Sequence, residues 1–101
     1  MTRSEAERRM LALVRAAGLP PSDVNVRVCG HEVDMLWRAE RLIVEIDGFE
    51  YHRTREAFER DRLRDARLQA AGYRVMRITW RQLSEQPEAV VARVAQALVR
   101  G

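Results

Sequence analysis

The sequence is short of cysteine, of lysine and of long apolar runs, and each shortage excludes a class of protein. The one cysteine, Cys29, excludes an internal disulfide framework and any zinc site built from several cysteines. No stretch approaches the roughly 20 apolar residues that cross a bilayer. The N-terminal segment lacks the apolar core of a signal peptide. We therefore expect a cytoplasmic protein with no membrane segment.

The length limits the domain count. The chain has 101 residues, enough for one hydrophobic core and too few for two. Apolar residues make up 47% of it and charged residues 33%, values typical of globular domains. We expect residues 1–101 to form a single domain, and the boundaries also fit a domain excised from a longer protein.

Arginine carries the basic charge of this chain. Lys plus Arg is 18 and the sequence contains no lysine, so every one of these residues is arginine. The formal net charge is +3 and the isoelectric point is about 10.0, which suits a polyanionic partner such as nucleic acid. A merely solvated arginine-rich surface explains the composition equally well. The absence of lysine also removes one class of catalytic residue.

Hydropathy patterns in the first half of the chain predict a helix and three strands. Apolar residues from Met10 to Ala17 recur at helical spacing, and Gly18 ends the helix. Alternating apolar and polar residues and very short turns then predict strands at residues 24–28, 31–37 and 41–47. We expect these strands to form an antiparallel meander.

The second half adds the elements that complete the sheet. Residues 49–54 form a loop, 55–71 a charged helix capped by Gly72, and 73–79 a fourth strand. Pro87 opens the last helix. The helix between the third and fourth strands allows those strands to lie parallel. The order αβββαβα predicts an α/β fold with a small mixed β-sheet flanked by helices.

Two acidic residues are expected to face each other across the second and third strands. A turn centred near Ala39 places Asp34 roughly opposite Glu45. Facing carboxylates repel and persist most readily with a cation between them. Mg²⁺ and Mn²⁺ fit, because they prefer carboxylate oxygens and keep several waters. Strict alternation leaves both acids opposite the apolar rows Val33, Met35, Trp37 and Leu42, Val44, Ile46.

A structural alternative for these acids is that Glu45 and Asp47 end an exposed strand and pair with nearby arginines. The third strand is otherwise apolar on both faces, which is typical of a central, buried strand. A buried strand that carries two acids favours the metal interpretation.

The runs HEVDMLW, RLIVEIDGFEYH and FERDRLRDARLQAAGYRVMRITW follow one another at residues 31–37, 41–52 and 58–80. In that order they resemble the very-short-patch-repair-like (Vsr-like) endonucleases, a compact branch of the PD-(D/E)XK, restriction-endonuclease-like superfamily. The resemblance spans nearly the whole chain. It implies that paired acids hold a divalent metal, which activates water to cut a phosphodiester of DNA.

The resemblance also implies roles for individual residues. Asp34 matches the aspartate of the superfamily motif, Glu45 matches its second acid, and Asp47 stands where the parent motif has lysine. That departure is expected of the Vsr-like branch, whose pattern is filled here by Glu7, Asp34, His52 and Asp61. Asp34 and Glu45 would then bind the metal, with Glu7 or Asp47 completing the ligand set. His52 would accept a proton from the attacking water, and Asp61 would orient that histidine or a metal-bound water.

Alternative roles stay open for several of these residues. Glu7 could close a capping box with Ser4, although Thr2 and Glu5 offer an equivalent box. His52 could be an ordinary surface histidine. Asp61 could pair with a neighbouring arginine on its helix, and Asp65 is a lesser candidate for its role.

Arginines near the proposed site suit DNA phosphates, because the guanidinium fork matches phosphate geometry. The candidates for DNA binding are Arg53, Arg55, Arg60 and Arg64. Helical spacing places Arg60, Arg64 and Arg67 on one stripe, opposite Leu63, Ala66 and Ala70. An ordinary solvated helix face is an equally good explanation of that stripe.

The sequence therefore favours a metal-dependent DNA endonuclease that nicks duplex DNA if it acts as a monomer. The alternative is a nuclease-like module that binds DNA without cutting, as an accessory to a partner domain or protein. RNA cleavage is a third, weaker interpretation.

Overall fold

The computed structural model describes residues 1–48 and 54–100, and their secondary structure follows the expected order. The elements are α1 (Arg3–Ala16), β1 (Asp23–Val28), β2 (His31–Trp37), β3 (Leu42–Asp47), α2 (Arg55–Ala70), β4 (Arg74–Thr79), α3 (Trp80–Glu85) and α4 (Pro87–Arg100). The predicted α/β fold is confirmed. The short helix α3, which follows β4 directly, is an addition to it.

The four strands form one mixed sheet in the order β1-β2-β3-β4. β1 with β2 and β2 with β3 are antiparallel, whereas β3 and β4 are parallel. The first hairpin turns at Cys29 and Gly30, whose φ angles of 52° and 81° are those of the tight turn that suits the strand twist. The crossover through α2 makes β3 a central strand, as expected.

Helices cover both faces of the sheet. On one face, α1, α3 and α4 pack through residues such as Met10, Leu83 and Val94 against Met35 and Val44. On the other face, α2 packs mainly through Leu68, which is fully buried with Val33 and Ile43. The sparse contact of α2 leaves space for polar side chains between this helix and the sheet.

The expectation that Val33, Met35 and Trp37 share one face is wrong. Val33 packs under α2, whereas Met35 and Trp37 pack in the core beneath α1 and α4. On the neighbouring strand Asn25 has a left-handed backbone with φ of 51°, which interrupts the regular pleat. The apolar residues of β2 change face between Val33 and Met35. Asp34 therefore lies where the regular alternation of side chains along β2 is interrupted.

Leu63, Ala66 and Ala70, which lie opposite the predicted arginine stripe of α2, are exposed. Leu63 is 52% exposed, and the buried residue of the helix is Leu68. Arg64 instead turns towards the sheet, where it reaches a β3 carboxylate. The predicted start of α2 at Arg55 is confirmed, and Thr54 caps its first turn. The helix ends at Ala70, one residue before the predicted end, and Gly72 follows with φ of 96°.

Helix α3 was not predicted, although its sequence carries a signal. Thr79 caps it, with Gln82 closing a reciprocal capping box at 2.9 and 3.0 Å. The helix has six residues, too few for a visible apolar period. Within the described ranges, no helix combines the length and apolar character needed to cross a bilayer.

Candidate functional site

The buried charged residues of the described chain are Asp34 and Glu45, which are 8% and 4% exposed. They lie on adjacent strands, immediately beyond the last regular pair of β2 and β3, Met35 with Val44. Asp34 N–H donates to Glu45 Oε2 at 3.0 Å, and Ile46 N–H donates to Asp34 Oδ2 at 2.7 Å. Each carboxylate thus takes a backbone donor of the opposite strand, which holds the two acids side by side.

The environment of Glu45 disfavours its charge. Burial raises the pKa of Glu45 to about 7. The Asp34 carboxylate adds to the rise, whereas the hydrogen bond from Asp34 N–H and the positive charge of Arg64 oppose it. The acid pair is therefore poised to bind either a proton or another cation near neutral pH.

Arginines from two helices flank the acid pair. Arg3 at the start of α1 donates from Nη2 to Asp34 Oδ1 at 3.0 Å. Arg64 of α2 forms an ion pair from Nη2 to Glu45 Oε1 and also donates to the Glu32 carbonyl oxygen at 2.6 Å. The alternative of arginine pairing is therefore right about the partners. It is wrong about exposure, because Glu45 is buried on a central strand.

A second charged cluster continues from the first along β3. Arg77 of β4 donates to Asp47 Oδ1 at 3.2 Å and to Asp65 Oδ1 at 2.8 Å. Burial lowers the pKa of the Arg77 guanidinium, but the carboxylates of Asp65 and Asp47 outweigh burial and raise that pKa. Arg77 was not a sequence candidate, although the parallel register pairs it with Glu45.

Both clusters open onto one cleft of about 280 Å³. Its walls include Asp61 and Arg64 of α2 and Trp80 at the start of α3. Trp80 packs on the core and also lines this cleft. The cleft therefore brings the acids of β2 and β3 together with the acidic and basic residues of α2.

Glu7 lies next to this arrangement on α1. The capping box of α1 is formed by Thr2 and Glu5, so the helix cap does not need Glu7. Glu7 Oε2 accepts from Arg3 Nε at 3.3 Å, and Glu7 lines a small cavity together with Asp34. The same arginine thus contacts two acids of the predicted pattern.

Three of the remaining candidates, Asp61, Arg55 and Arg60, lie on α2 within the described residues. Asp61 reaches the cleft, whereas Arg55 and Arg60 are exposed on the first half of α2. His52 and Arg53 lie outside the described residues.

The acids present suit a divalent ion only in part. Within residues 1–48 and 54–100, no three acidic, histidine or cysteine side chains converge closely enough to hold a metal. Asp34 and Glu45 nevertheless supply the oxygen donors that Mg²⁺ and Mn²⁺ prefer, and Mg²⁺ is commonly held by one or two carboxylates plus waters. These two carboxylates can therefore hold such an ion together with waters. A third carboxylate, from Glu7 or Asp47, would bind it only after leaving its arginine partner.

Comparison with known families gives one match that covers most of the chain. The family model REase_MTES_1575, a restriction-endonuclease-like family, matches residues 7–98. Two Mycobacterium tuberculosis relatives, titled uncharacterized proteins MT2308 and Rv2248, are each 30% identical over 101 residues. The alignment covers 95% of this chain and 36% of each relative, so the chain spans about a third of their length.

Two further comparisons concern a relative matched over part of the chain and a solved structure. An uncharacterized protein of Haemophilus influenzae is 36% identical over 62 residues, which cover 61% of this chain and 50% of the relative. Among solved structures, the catalytic domain of homing endonuclease I-Bth0305I aligns with a TM-score of 0.78 and 20% identity. That alignment covers 94% of both chains and shows a common fold.

Proposed function

The chain belongs to the restriction-endonuclease-like family REase_MTES_1575, and from that premise we propose that it is a divalent-metal-dependent DNA endonuclease. It would hydrolyse phosphodiester bonds of duplex DNA and, acting as a monomer, would nick one strand. The observation that carries this proposal is the buried pair Asp34 and Glu45 at a cleft flanked by arginines. Buried, adjacent carboxylates need a positive counter-charge, and a divalent metal ion would supply one.

Asp34 and Glu45 are the proposed metal ligands, with Glu7 or Asp47 as a third. Mg²⁺ or Mn²⁺ held there would lower the pKa of a coordinated water and would offset the charge of the phosphate. The chain's own part is to hold the two carboxylates in register through the bonds from Asp34 N–H and Ile46 N–H. That rigid placement on two strands is what a catalytic centre requires.

Within the Vsr-like pattern of Glu7, Asp34, His52 and Asp61, the last two residues are proposed to serve proton transfer. His52 would accept the proton of the attacking water, because an imidazole titrates near neutral pH. Asp61 would orient His52 or a metal-bound water, and its position at the cleft supports that role.

DNA would approach across α2. Arg55 and Arg60 are exposed on this helix, Arg64 lies at its cleft side, and Arg53 precedes it in the chain. Guanidinium groups in such positions suit backbone phosphates, which position DNA without reading its sequence.

A second candidate function is a nuclease-like module that binds DNA without cutting it. The observation in its favour is that Asp34, Glu45 and Asp47 are each already paired with an arginine. In that case the arginines serve as permanent counter-charges. The module would assist a partner domain or protein.

Nicking of supercoiled plasmid with Mg²⁺ or Mn²⁺ separates the two functions. The endonuclease predicts nicked plasmid with the wild type and none with Asp34→Asn. Asp23→Asn is the matched control, because this acid is exposed on β1 and pairs with Arg38. Cleavage by Asp34→Asn at the wild-type rate would contradict the proposed site. DNA binding without any metal-dependent cleavage, of DNA or of RNA, would establish the accessory module.

A further inference from the structure

Arg64 is held in an incomplete set of hydrogen bonds. Its Nη2 serves both the Glu45 carboxylate and the Glu32 carbonyl oxygen. Its Nε is buried, and within the described residues it has no hydrogen-bond partner. A buried donor without an acceptor is costly, so this guanidinium has capacity for one more oxygen.

The position of Arg64 conflicts with a metal ion at the acid pair. A divalent cation bound by Glu45 would lie close to a guanidinium on the same carboxylate, and like charges repel strongly in a partly buried site. The side chain of Arg64 is 23% exposed and lines the open cleft. If the Arg64 side chain turns into the cleft, a phosphate there offers the oxygen that its buried Nε lacks.

We propose that Arg64 is an exchangeable counter-charge, which neutralises Glu45 in the free protein and moves to a backbone phosphate when DNA binds. DNA binding then frees Glu45 for the metal, so DNA and the metal bind cooperatively. This inference rests on the proposed endonuclease function. It adds that DNA binding comes first, by drawing Arg64 away from Glu45, and that the metal ion then takes the place of the arginine. Arg64 is thus a positioning residue for Glu45 as well as a phosphate contact.

Arg3 is a weaker candidate for an exchangeable counter-charge. Its side chain is 64% exposed, and it divides its contacts among Glu7, Glu32 and Asp34. An exposed ion pair is screened by water and salt and contributes little. The less exposed contact of Arg64 with Glu45 therefore dominates the competition with a cation.

The test measures Ca²⁺ binding without cleavage, because Ca²⁺ also takes carboxylate oxygens. Calorimetry gives the Ca²⁺ affinity of the free protein. Fluorescence anisotropy gives the affinity for a short labelled duplex, with Ca²⁺ or with EDTA at matched ionic strength. By linkage, each ligand must change the affinity of the other by the same factor. We expect about tenfold tighter duplex binding by the wild type in Ca²⁺, within the usual range of such coupling.

Arg64→Gln should uncouple the two ligands. Without DNA it should bind Ca²⁺ about tenfold more tightly than the wild type, and Ca²⁺ should then change its duplex affinity little. Arg67→Gln is the matched control, because it removes one exposed arginine from the same helix and should keep the wild-type coupling. If Arg64→Gln fails to fold, Arg64→Met replaces it, since this unbranched side chain fills much of the same space without the positive charge. The Met variant should then bind Ca²⁺ more tightly than wild type.

The outcomes distinguish this inference from the proposed function. The exchange is refuted if the folded Arg64 variant binds Ca²⁺ as weakly as the wild type and the Arg67→Gln control do. It is also refuted if the wild type shows no coupling between Ca²⁺ and DNA. Metal-dependent nicking by the wild type would still support the endonuclease. If the wild type binds neither Ca²⁺ nor Mn²⁺, with or without DNA, the metal-dependent function itself fails.

Discussion

The raised pKa of Glu45 predicts that the metal-free protein loses stability as pH rises. The pKa moves from 4.5 to about 7, mainly because the carboxyl is buried. The folded state therefore binds this proton more tightly than the unfolded state does. The contribution is fully present below about pH 4.5, declines as pH rises, and is lost once pH passes about 7. A shift of this size corresponds to about 3 kcal/mol in the free energy of unfolding.

Urea unfolding at about pH 5 and about pH 8, with EDTA present, measures this effect. In Glu45→Gln the amide cannot titrate, although it can still accept the hydrogen bond from Asp34 N–H. The loss of stability between the two pH values should be smaller in this variant than in wild type by about 2–3 kcal/mol, because at about pH 5 part of the contribution is already lost. Glu59→Gln, an exposed change on α2, should behave like wild type. Equal pH dependence of wild type and Glu45→Gln would refute the reasoning.

A metal ion should reverse the pH effect if Glu45 is a ligand. A carboxylate ligand must be ionised, so binding of Mg²⁺ competes with the proton. Mg²⁺ should therefore raise the wild-type free energy of unfolding more at about pH 8 than at about pH 5, and should raise that of Glu45→Gln much less. A Mg²⁺ effect that is independent of pH would argue against Glu45 as a ligand.

Four further predictions follow from the site and the fold. Asp34→Asn should abolish nicking and leave the metal-free melting temperature at least as high, because one of two adjacent charges is removed; a large fall would make Asp34 a structural residue. Duplex affinity should fall steeply with salt and depend little on sequence, and Arg55→Gln with Arg60→Gln should reduce the salt slope by about two; salt-insensitive binding contradicts this. Leu68→Ala should lower the free energy of unfolding by about 2–5 kcal/mol, since this leucine is the buried contact of α2; a loss near zero in urea unfolding contradicts it. His52→Ala should lower the nicking rate by about 10²–10⁴-fold with DNA affinity unchanged; a wild-type rate would show that His52 is not the base.

The elements and the pairing of the acids could be predicted because they depend on local signals. Alternating strands joined by short turns fix which residues face each other, and the observed pairing of Met35 with Val44 continues to Asp34 beside Glu45. The parallel partner of β3 follows from the length of the crossover through α2. These inferences need only periodicity, turn residues and chain connectivity.

Which arginines pair with the acids could not be predicted, because these arginines come from distant parts of the chain. Arg3 is 31 residues from Asp34, and Arg64 is 19 residues from Glu45. Which side of α2 faces the sheet depends on how Leu68 packs, and the change of face at Val33 lies beside the left-handed Asn25 of the neighbouring strand. Such side-chain contacts are decided by tertiary packing rather than by helical or strand periodicity.

Arg64 should have opposite effects on stability and on metal binding, because it stabilises the buried charge of Glu45 and competes with a metal ion for the same carboxylate. In the free protein, a buried Glu45 without its arginine is an uncompensated charge, so loss of Arg64 should destabilise the fold at neutral pH. At the same time, that loss removes the competitor of a metal ion and should tighten metal binding. A purely structural arginine would lower stability without raising metal affinity, and a pure phosphate contact would change neither in the absence of DNA. Measuring both quantities on Arg64→Gln therefore assigns the residue: lower stability in EDTA together with tighter Ca²⁺ binding is the result expected only of an exchangeable counter-charge.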